Sequence, residues 1–239
     1  VDRSFAGQVV LVAGGTGALG AAIARAFAAA GARVVVTYRQ ADELAALRAS
    51  AGGDAASIDG HPLDAGDEPA VKAMVEAILA RHGRIDAMVN AIGGYAGGTP
   101  LWRNPPDVLA RMLAQNLAPG HALARAVVPP MLAARRGAIV NVAARAGIAP
   151  EAGAGEYAAS KAAAIALMAS LAADLAGSGV RVNSILPSII DTPANRRAMP
   201  QADATRWPKP EAIARVALFL ASDDADLVHG AAIPVYGHG

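Results

Sequence analysis

Short runs of β-branched and other apolar residues recur along the chain at 9–13, 33–37, 57–63, 85–91, 138–142, 180–186 and 231–235, and each reads as a strand. Between most of them lie segments such as 18–30 and 69–82, whose apolar residues return at helical spacing. Nearly all the strand positions are apolar, as burial on two faces requires. This alternation predicts an α/β fold: a doubly wound parallel sheet of Rossmann type, about seven strands with helices on both faces. In open sheets of this kind ligands sit beyond the carboxyl ends of the strands. The loops after Ala13, Thr37, Ala91, Val142 and Leu186 are therefore expected to line the site.

Length and charge narrow the picture. A chain of 239 residues fills one sizeable core, and no composition shift marks a boundary, so residues 1–239 are expected to form a single domain. With 21 basic against 20 acidic residues the formal charge is +1, which makes no electrostatic case for nucleic acid or an anionic membrane surface. Small molecules and copies of the chain itself are the expected partners. The absence of cysteine rules out disulfides and thiolate chemistry and suits a reducing compartment, so a cytoplasmic location is expected. The apolar stretch 162–173 falls short of the ~20 residues that span a bilayer. No secretory signal is visible at the N-terminus, and a start on Val1 suggests that an initiator Met or a tag has been removed. The five histidines, His61, His82, His121, His229 and His238, have no metal-ligand spacing, so no metal is expected.

Chemistry begins where the first strand runs into Gly14-Gly15-Thr16-Gly17-Ala18-Leu19-Gly20 and a helix follows. Glycines in that context permit a tight turn and let backbone N–H groups and the helix N-terminus approach a pyrophosphate. Two registers fit: Gly14, Gly17 and Gly20 at three-residue spacing, or the Gly-x-Gly-x-x-Gly that starts at Gly15. Gly14, Thr16, Gly17, Leu19 and Gly20 are the candidate cofactor contacts. Eighteen residues after Gly20, where an acidic residue would bind the adenosine ribose 2′-OH, stand Tyr38 and Arg39. The missing carboxylate removes repulsion against a 2′-phosphate, and a guanidinium pairs with phosphate bidentately, so NADP(H) is preferred, with NAD(H) possible. Asp64, closing the third strand, either accepts from the adenine amino group or caps the next helix.

Tyr157 and Lys161 stand four residues apart in a helical stretch, so a phenol and an ammonium leave one helix face together. A positive charge a few Å away favours phenolate, and Lys161 is expected to lower the Tyr157 pKa and make it a working acid.

As an ordered set, FAGQVVLVAGGTGALG, LDAGD, GRIDAMVNAIGG, LAQNLAPG, IVNVAARAG, the Tyr157 to Lys161 pair, VRVNSILPSIIDTP and LFLASDDADLVHG resemble the short-chain dehydrogenases/reductases over essentially the whole chain. The resemblance implies that Tyr157 is the catalytic acid/base and that Lys161 lowers its pKa and holds the nicotinamide ribose. It further implies that Asn116 supports a water relay to Lys161, that Asn90 lies beside the cofactor, and that Thr192 bonds the nicotinamide carboxamide. A homodimer or homotetramer follows from the same resemblance, with the long helices before and after Ala144 as contact surfaces.

The departures from that family's pattern are informative. Its serine thirteen residues before the tyrosine falls here on Ala144, so the substrate-polarising hydroxyl is missing. Removing such a donor typically costs about 10² to 10³ in turnover. Ala13, Ala18 and Ser188 also replace usual residues. The segments GGTGALG, GGYAGG at 93–98, ARAGI and DTPANRRAMPQADATRW at 191–207 resemble the quinoid dihydropteridine reductase branch, with 188–208 as the substrate loop. A quinonoid acceptor develops less oxyanion character than a simple ketone, so Tyr157 alone could serve it. The expected activity is hydride transfer from NADPH to a conjugated C=N or C=O acceptor, quinonoid dihydropterin-like or carbonyl. The alternatives are an ordinary carbonyl or 3-oxoacyl reductase without the serine, and a catalytically silent NADP-binding sensor. Tyr95, Trp102 and Trp207 fall in loops expected near the nicotinamide, where they either stack on a planar heterocycle or anchor loops.

Overall fold

The computed structural model describes residues 5–237, so Val1 and His238 lie outside the described residues. Seven parallel strands form one sheet in the order β3-β2-β1-β4-β5-β6-β7. They are β1 (Val9–Ala13), β2 (Arg33–Tyr38), β3 (Ile58–Pro62), β4 (Ala87–Asn90), β5 (Gly137–Val142), β6 (Val180–Pro187) and β7 (Ala232–Val235). The helices are α1 (Ala18–Ala29), α2 (Ala41–Ala51), α3 (Glu68–His82), α4 (Val108–Asn116), α5 (Ala118–Ala134), α6 (Gly155–Asp174), α7 (Pro193–Ala198) and α8 (Pro210–Ala221). The expected doubly wound α/β architecture is the observed one.

Period-two alternation divides each central strand between two cores. From β1, Val10 and Val12 enter the layer formed with α1 and α8, where Ile23, Phe27, Ala214 and Ala217 are buried. Val9, Leu11 and Ala13 enter the opposite layer with α3, α5 and α6, among Met74, Ile78, Leu123 and Met168. Burial of a large apolar side chain contributes about 1.5–3 kcal/mol. Truncation of Leu11, fully buried between β2 and β4, should cost about 2–5 kcal/mol.

Every strand but β1 differs from the pattern's reading by one or two residues at one or both ends, and two of these differences have a local cause. β4 begins at Ala87 rather than at 85, because the Asp86 backbone N–H donates to the Val9 carbonyl while its own carboxylate accepts from the Val9 N–H at 2.8 Å. A side chain there closes the ladder that backbone would otherwise continue. β3 is trimmed to 58–62 because a short 3₁₀ turn occupies 52–57.

The chain leaves β1 outward to β2 and β3, then returns to the other side of β1 as β4. That reversal opens a crevice between the ends of β1 and β4, where ligands bind in such sheets. Among the described residues, no helix is long and apolar enough to cross a membrane.

Candidate active site

The glycine loop is shaped by what its residues lack. Gly14 has a left-handed φ of 73°, and a Cβ there would sit 3.0 Å from Ile92 Cγ1 and 3.2 Å from the Ala91 backbone. A Cβ on Gly15 would come within 2.6 Å of Val36, and one on Gly20 would collide with the Gly14 carbonyl. Only glycine lets α1 begin this close to β1 and β2. Glycine is therefore required at 14, 15 and 20, with Gly15 omitted from the candidate contacts, whereas a Cβ on Gly17 would meet the Gly14 carbonyl only at an ordinary 3.5 Å. Thr37 Oγ1 accepts the Gly14 N–H at 2.8 Å and fixes the loop to β2. No side chain caps α1 and no acidic residue stands in its first turn, so its N–H groups and positive dipole end remain available to an anion.

Around the rim, Arg39 is exposed and makes no hydrogen bond or ion pair with another described residue, while the Tyr38 ring packs beside Gly60. Thr16 Oγ1 donates to Glu43 Oε2 at 2.9 Å, which brings a carboxylate from the first turn of α2 to the phosphate loop. Sequence reasoning missed Glu43, since only the fold carries it there. Asp64 is not a helix cap: its Oδ1 accepts from the Gly66 N–H at 3.0 Å, and Asp67 caps α3 through the Ala70 N–H at 3.2 Å.

Across the crevice the site is built from buried side chains. Asn90 Nδ2 donates to Asn141 Oδ1 at 2.9 Å, and its Oδ1 accepts from the Ile92 N–H, so the ends of β4 and β5 are tied together. Asn116, at the end of α4, clasps the following loop: Oδ1 accepts from the Gly94 N–H at 2.9 Å and Nδ2 donates to the Gly94 carbonyl at 3.1 Å. Nδ2 also reaches Ser160 Oγ at 3.0 Å, and Ser160 donates to the Tyr157 carbonyl at 2.7 Å. A Cβ on Gly93 would lie 2.9 Å from Asn116 Oδ1 and 3.0 Å from Lys161 Nζ, so the missing side chain leaves room beside both.

Lys161 is 5% exposed and donates to the Val142 carbonyl at 3.3 Å. Burial lowers its pKa to about 8. Tyr157 shifts opposite to expectation: burial, aided by Tyr95, pushes it up to about 12. The spacing argument considered only the ammonium charge, whereas the phenol's loss of solvent dominates here. A phenol so placed holds its proton throughout the neutral range.

Ala144 lies two residues beyond β5, with its methyl buried and an extended backbone, φ −162° and ψ 156°. No serine hydroxyl occupies that position. Tyr95 packs edge-on against Tyr157, with ring centroids 5.0 Å apart at 74°. Trp102 is 81% exposed in a short turn beside the start of α6, and Trp207 is half-buried after another short turn. Glu156 was also missed by sequence reasoning. It is buried in the first turn of α6, and both its oxygens accept from Asn104 Nδ2 at 2.9 Å, which ties the 95–105 loop to the helix carrying Tyr157. Thr192 Oγ1 caps α7 through the Asn195 N–H at 3.1 Å, and Arg196 pairs bidentately with Asp191, holding that carboxyl below its usual range. The 191–196 run thus folds on its own side chains. Among the described residues, no cluster of three or more His, Cys, Asp or Glu could hold a metal ion.

Residues 8–203 match the short chain dehydrogenase family. The chain belongs to that family. It is an oxidoreductase fold whose members bind NAD(P), and the uncapped α1 N-terminus with its glycine cradle fits a dinucleotide pyrophosphate. Among similar proteins, D-threitol dehydrogenase of Mycolicibacterium smegmatis is 37% identical, covering 99% of this chain and 94% of its own. A 3-oxoacyl-(acyl-carrier-protein) reductase, FabG of Thermotoga maritima, is 34% identical over 97% of both chains. A short-chain type dehydrogenase/reductase of known structure from Mycobacterium ulcerans superimposes with a TM-score of 0.92 at 28% identity, covering 98% of this chain and 90% of that one.

Proposed function

We propose that this short chain dehydrogenase transfers hydride from NADPH to a conjugated C=O or C=N acceptor, with Tyr157 giving the proton. One observation carries the reading: the start of α6 holds a protonated phenol beside a buried lysine, while Ala144 offers the acceptor only a methyl group. The bound dinucleotide supplies the hydride. Gly14, Gly15, Gly17 and Gly20 admit its pyrophosphate, with Thr16 and Leu19 in the same loop, and Tyr38, Arg39 and Asp64 border its adenosine end. Lys161 holds the nicotinamide ribose, Asn116 keeps the Gly93–Gly94 backbone open beside it, and Asn90 and Thr192 fix the loops on either side of the ring. Tyr157 protonates the reduced acceptor atom, and residues 188–208 form the substrate loop.

The narrower form of this reading is a quinonoid dihydropterin-like acceptor, favoured by the missing hydroxyl at 144 and the exposed aromatic Tyr95 beside Tyr157. A second reading, ordinary carbonyl or 3-oxoacyl reduction, is favoured by similarity to the FabG reductase and the threitol dehydrogenase. Oxidation of NADPH and NADH should be followed with a quinonoid dihydropterin, a quinone, a small ketone and a 3-oxoacyl thioester. Faster turnover of the conjugated acceptors is expected. Faster turnover of the ketone or thioester overturns the conjugated-acceptor reading in favour of the second. Tight NADPH binding with no turnover on any of the four marks a silent sensor. The working form is a cytoplasmic homodimer or homotetramer joined through α5 and α6, and light scattering of the purified protein that shows only monomer would refute this.

A further inference from the structure

We infer that Tyr95 donates a hydrogen bond to the same acceptor atom that Tyr157 protonates, replacing the donor that residue 144 does not provide. This rests on the assignment of Tyr157 as proton donor. The contact geometry brings the two phenols together: their rings meet edge to face at 5.0 Å, in a loop pinned on both sides of Tyr95. On one side Asn116 holds Gly94 by its N–H and its carbonyl, and on the other the Gly98 N–H donates to the Gly153 carbonyl at 2.9 Å. Between these anchors the phenol lies directly over Gly97, where a Cβ would collide with Tyr95 Oη. Glycine at 97 leaves room for the hydroxyl in this placement.

Other hydroxyls near the site are committed elsewhere. The Ser160 proton goes to the Tyr157 carbonyl, and the Ser188 proton goes to the Tyr236 carbonyl at 2.9 Å. Tyr95 is 67% exposed, and its hydroxyl makes no hydrogen bond to another described residue. Two donors that converge on one developing anion form an oxyanion-hole arrangement, in which removal of one donor costs about 10² to 10³ in turnover.

The test compares Tyr95→Phe, which keeps the ring and loses the hydroxyl, with the double variant Tyr95→Phe/Ala144→Ser, which returns a hydroxyl at the other position. Steady-state turnover of the fastest acceptor, NADPH affinity by fluorescence and melting temperature are measured for each. Tyr95→Phe is expected to lower kcat about 10²-fold, with NADPH affinity within about twofold and melting unchanged. The double variant is expected to regain at least about tenfold of that loss. Activity of Tyr95→Phe within about twofold of the parent overturns the inference. A loss that the folded double variant does not recover also overturns it, since that result assigns Tyr95 to ring packing. A parent protein inactive on every acceptor refutes the proton-donor reading and this inference with it, whereas an active parent with an unaffected Tyr95→Phe refutes this inference alone.

Discussion

The two walls of the crevice are made in opposite ways. On the β1–β2 side the surface is backbone, cleared by Gly14, Gly15 and Gly20, and its chemistry comes from N–H groups that any sequence possesses. On the β4–β5–α6 side it is side chain: Asn90, Asn116, Ser160 and Lys161 are buried and linked to one another or to carbonyls. The first wall fails when atoms are added, and the second when they are removed or lose a proton. Substitutions on the two walls should therefore separate binding from chemistry.

Tyr157→Phe is the sharpest such separation. Loss of a positioned general acid typically costs 10² to 10⁴ in rate, and with no serine in reserve at Ala144 the loss should reach about 10³ or more. NADPH affinity, set on the other wall, should stay within about twofold by fluorescence titration. A variant that keeps most of its activity would remove Tyr157 from the mechanism.

Gly20→Ala attacks the opposite wall. Its methyl would meet the Gly14 carbonyl, which belongs to backbone and cannot swing aside. Overpacking of this kind costs about 3 kcal/mol, or roughly 6–12 °C of melting temperature in a chain of this size. NADPH affinity should fall at least about tenfold. Gly53→Ala is the control, because a Cβ there meets nothing within 4 Å. If both variants melt alike, close approach at Gly20 is not what its glycine provides.

Lys161→Met tests the second wall from the side of stability. Its folded pKa is lowered by burial from 10.5 to about 8, so at pH 7 the native state carries a buried charge that the unfolded chain keeps in water. That penalty is complete below about pH 8, and stability recovers between pH 8 and 10.5, where the unfolded state binds the extra proton. Set against the lost hydrogen bond to Val142, the methionine variant should gain about 2 kcal/mol at pH 7. Thermal melts at several pH values should show the gain shrinking through that window while activity is abolished. A gain independent of pH would refute the electrostatic account.

The same contrast explains what could be read from the sequence. Glycine spacing and apolar period act through the backbone, so the phosphate loop and strands were visible in one dimension, with strand ends off by one or two residues, as where Asp86 replaced a ladder bond and a 3₁₀ turn trimmed β3. Side-chain partnerships across 27 or 52 residues, such as Thr16 with Glu43 or Asn104 with Glu156, exist only after folding. Asp64 and Asp67 compete for one cap three residues apart, and helix geometry rather than residue type decided between them. The Tyr157 shift depends on burial, which no local spacing encodes.

Cofactor choice lies at the outer end of the first wall, beyond β2, and it carries the smallest expected effect. Arg39 favours a 2′-phosphate, yet Glu43 is held beside Thr16 by a 2.9 Å hydrogen bond and brings a carboxylate to the same loop. An exposed guanidinium that pairs with phosphate contributes a charge-assisted bond but remains open to salt, so Arg39→Ala should weaken NADPH about tenfold and leave NADH within about twofold. Glu43→Gln keeps a hydrogen-bond acceptor for Thr16 and removes only the charge, and it should strengthen NADPH by a factor of about 2–5, the range of a screened repulsion. Raising the salt concentration should shrink both differences. Equal weakening of NADPH and NADH by Arg39→Ala would show that the guanidinium supports the loop rather than the phosphate, and would leave the preference for NADP(H) without its residue.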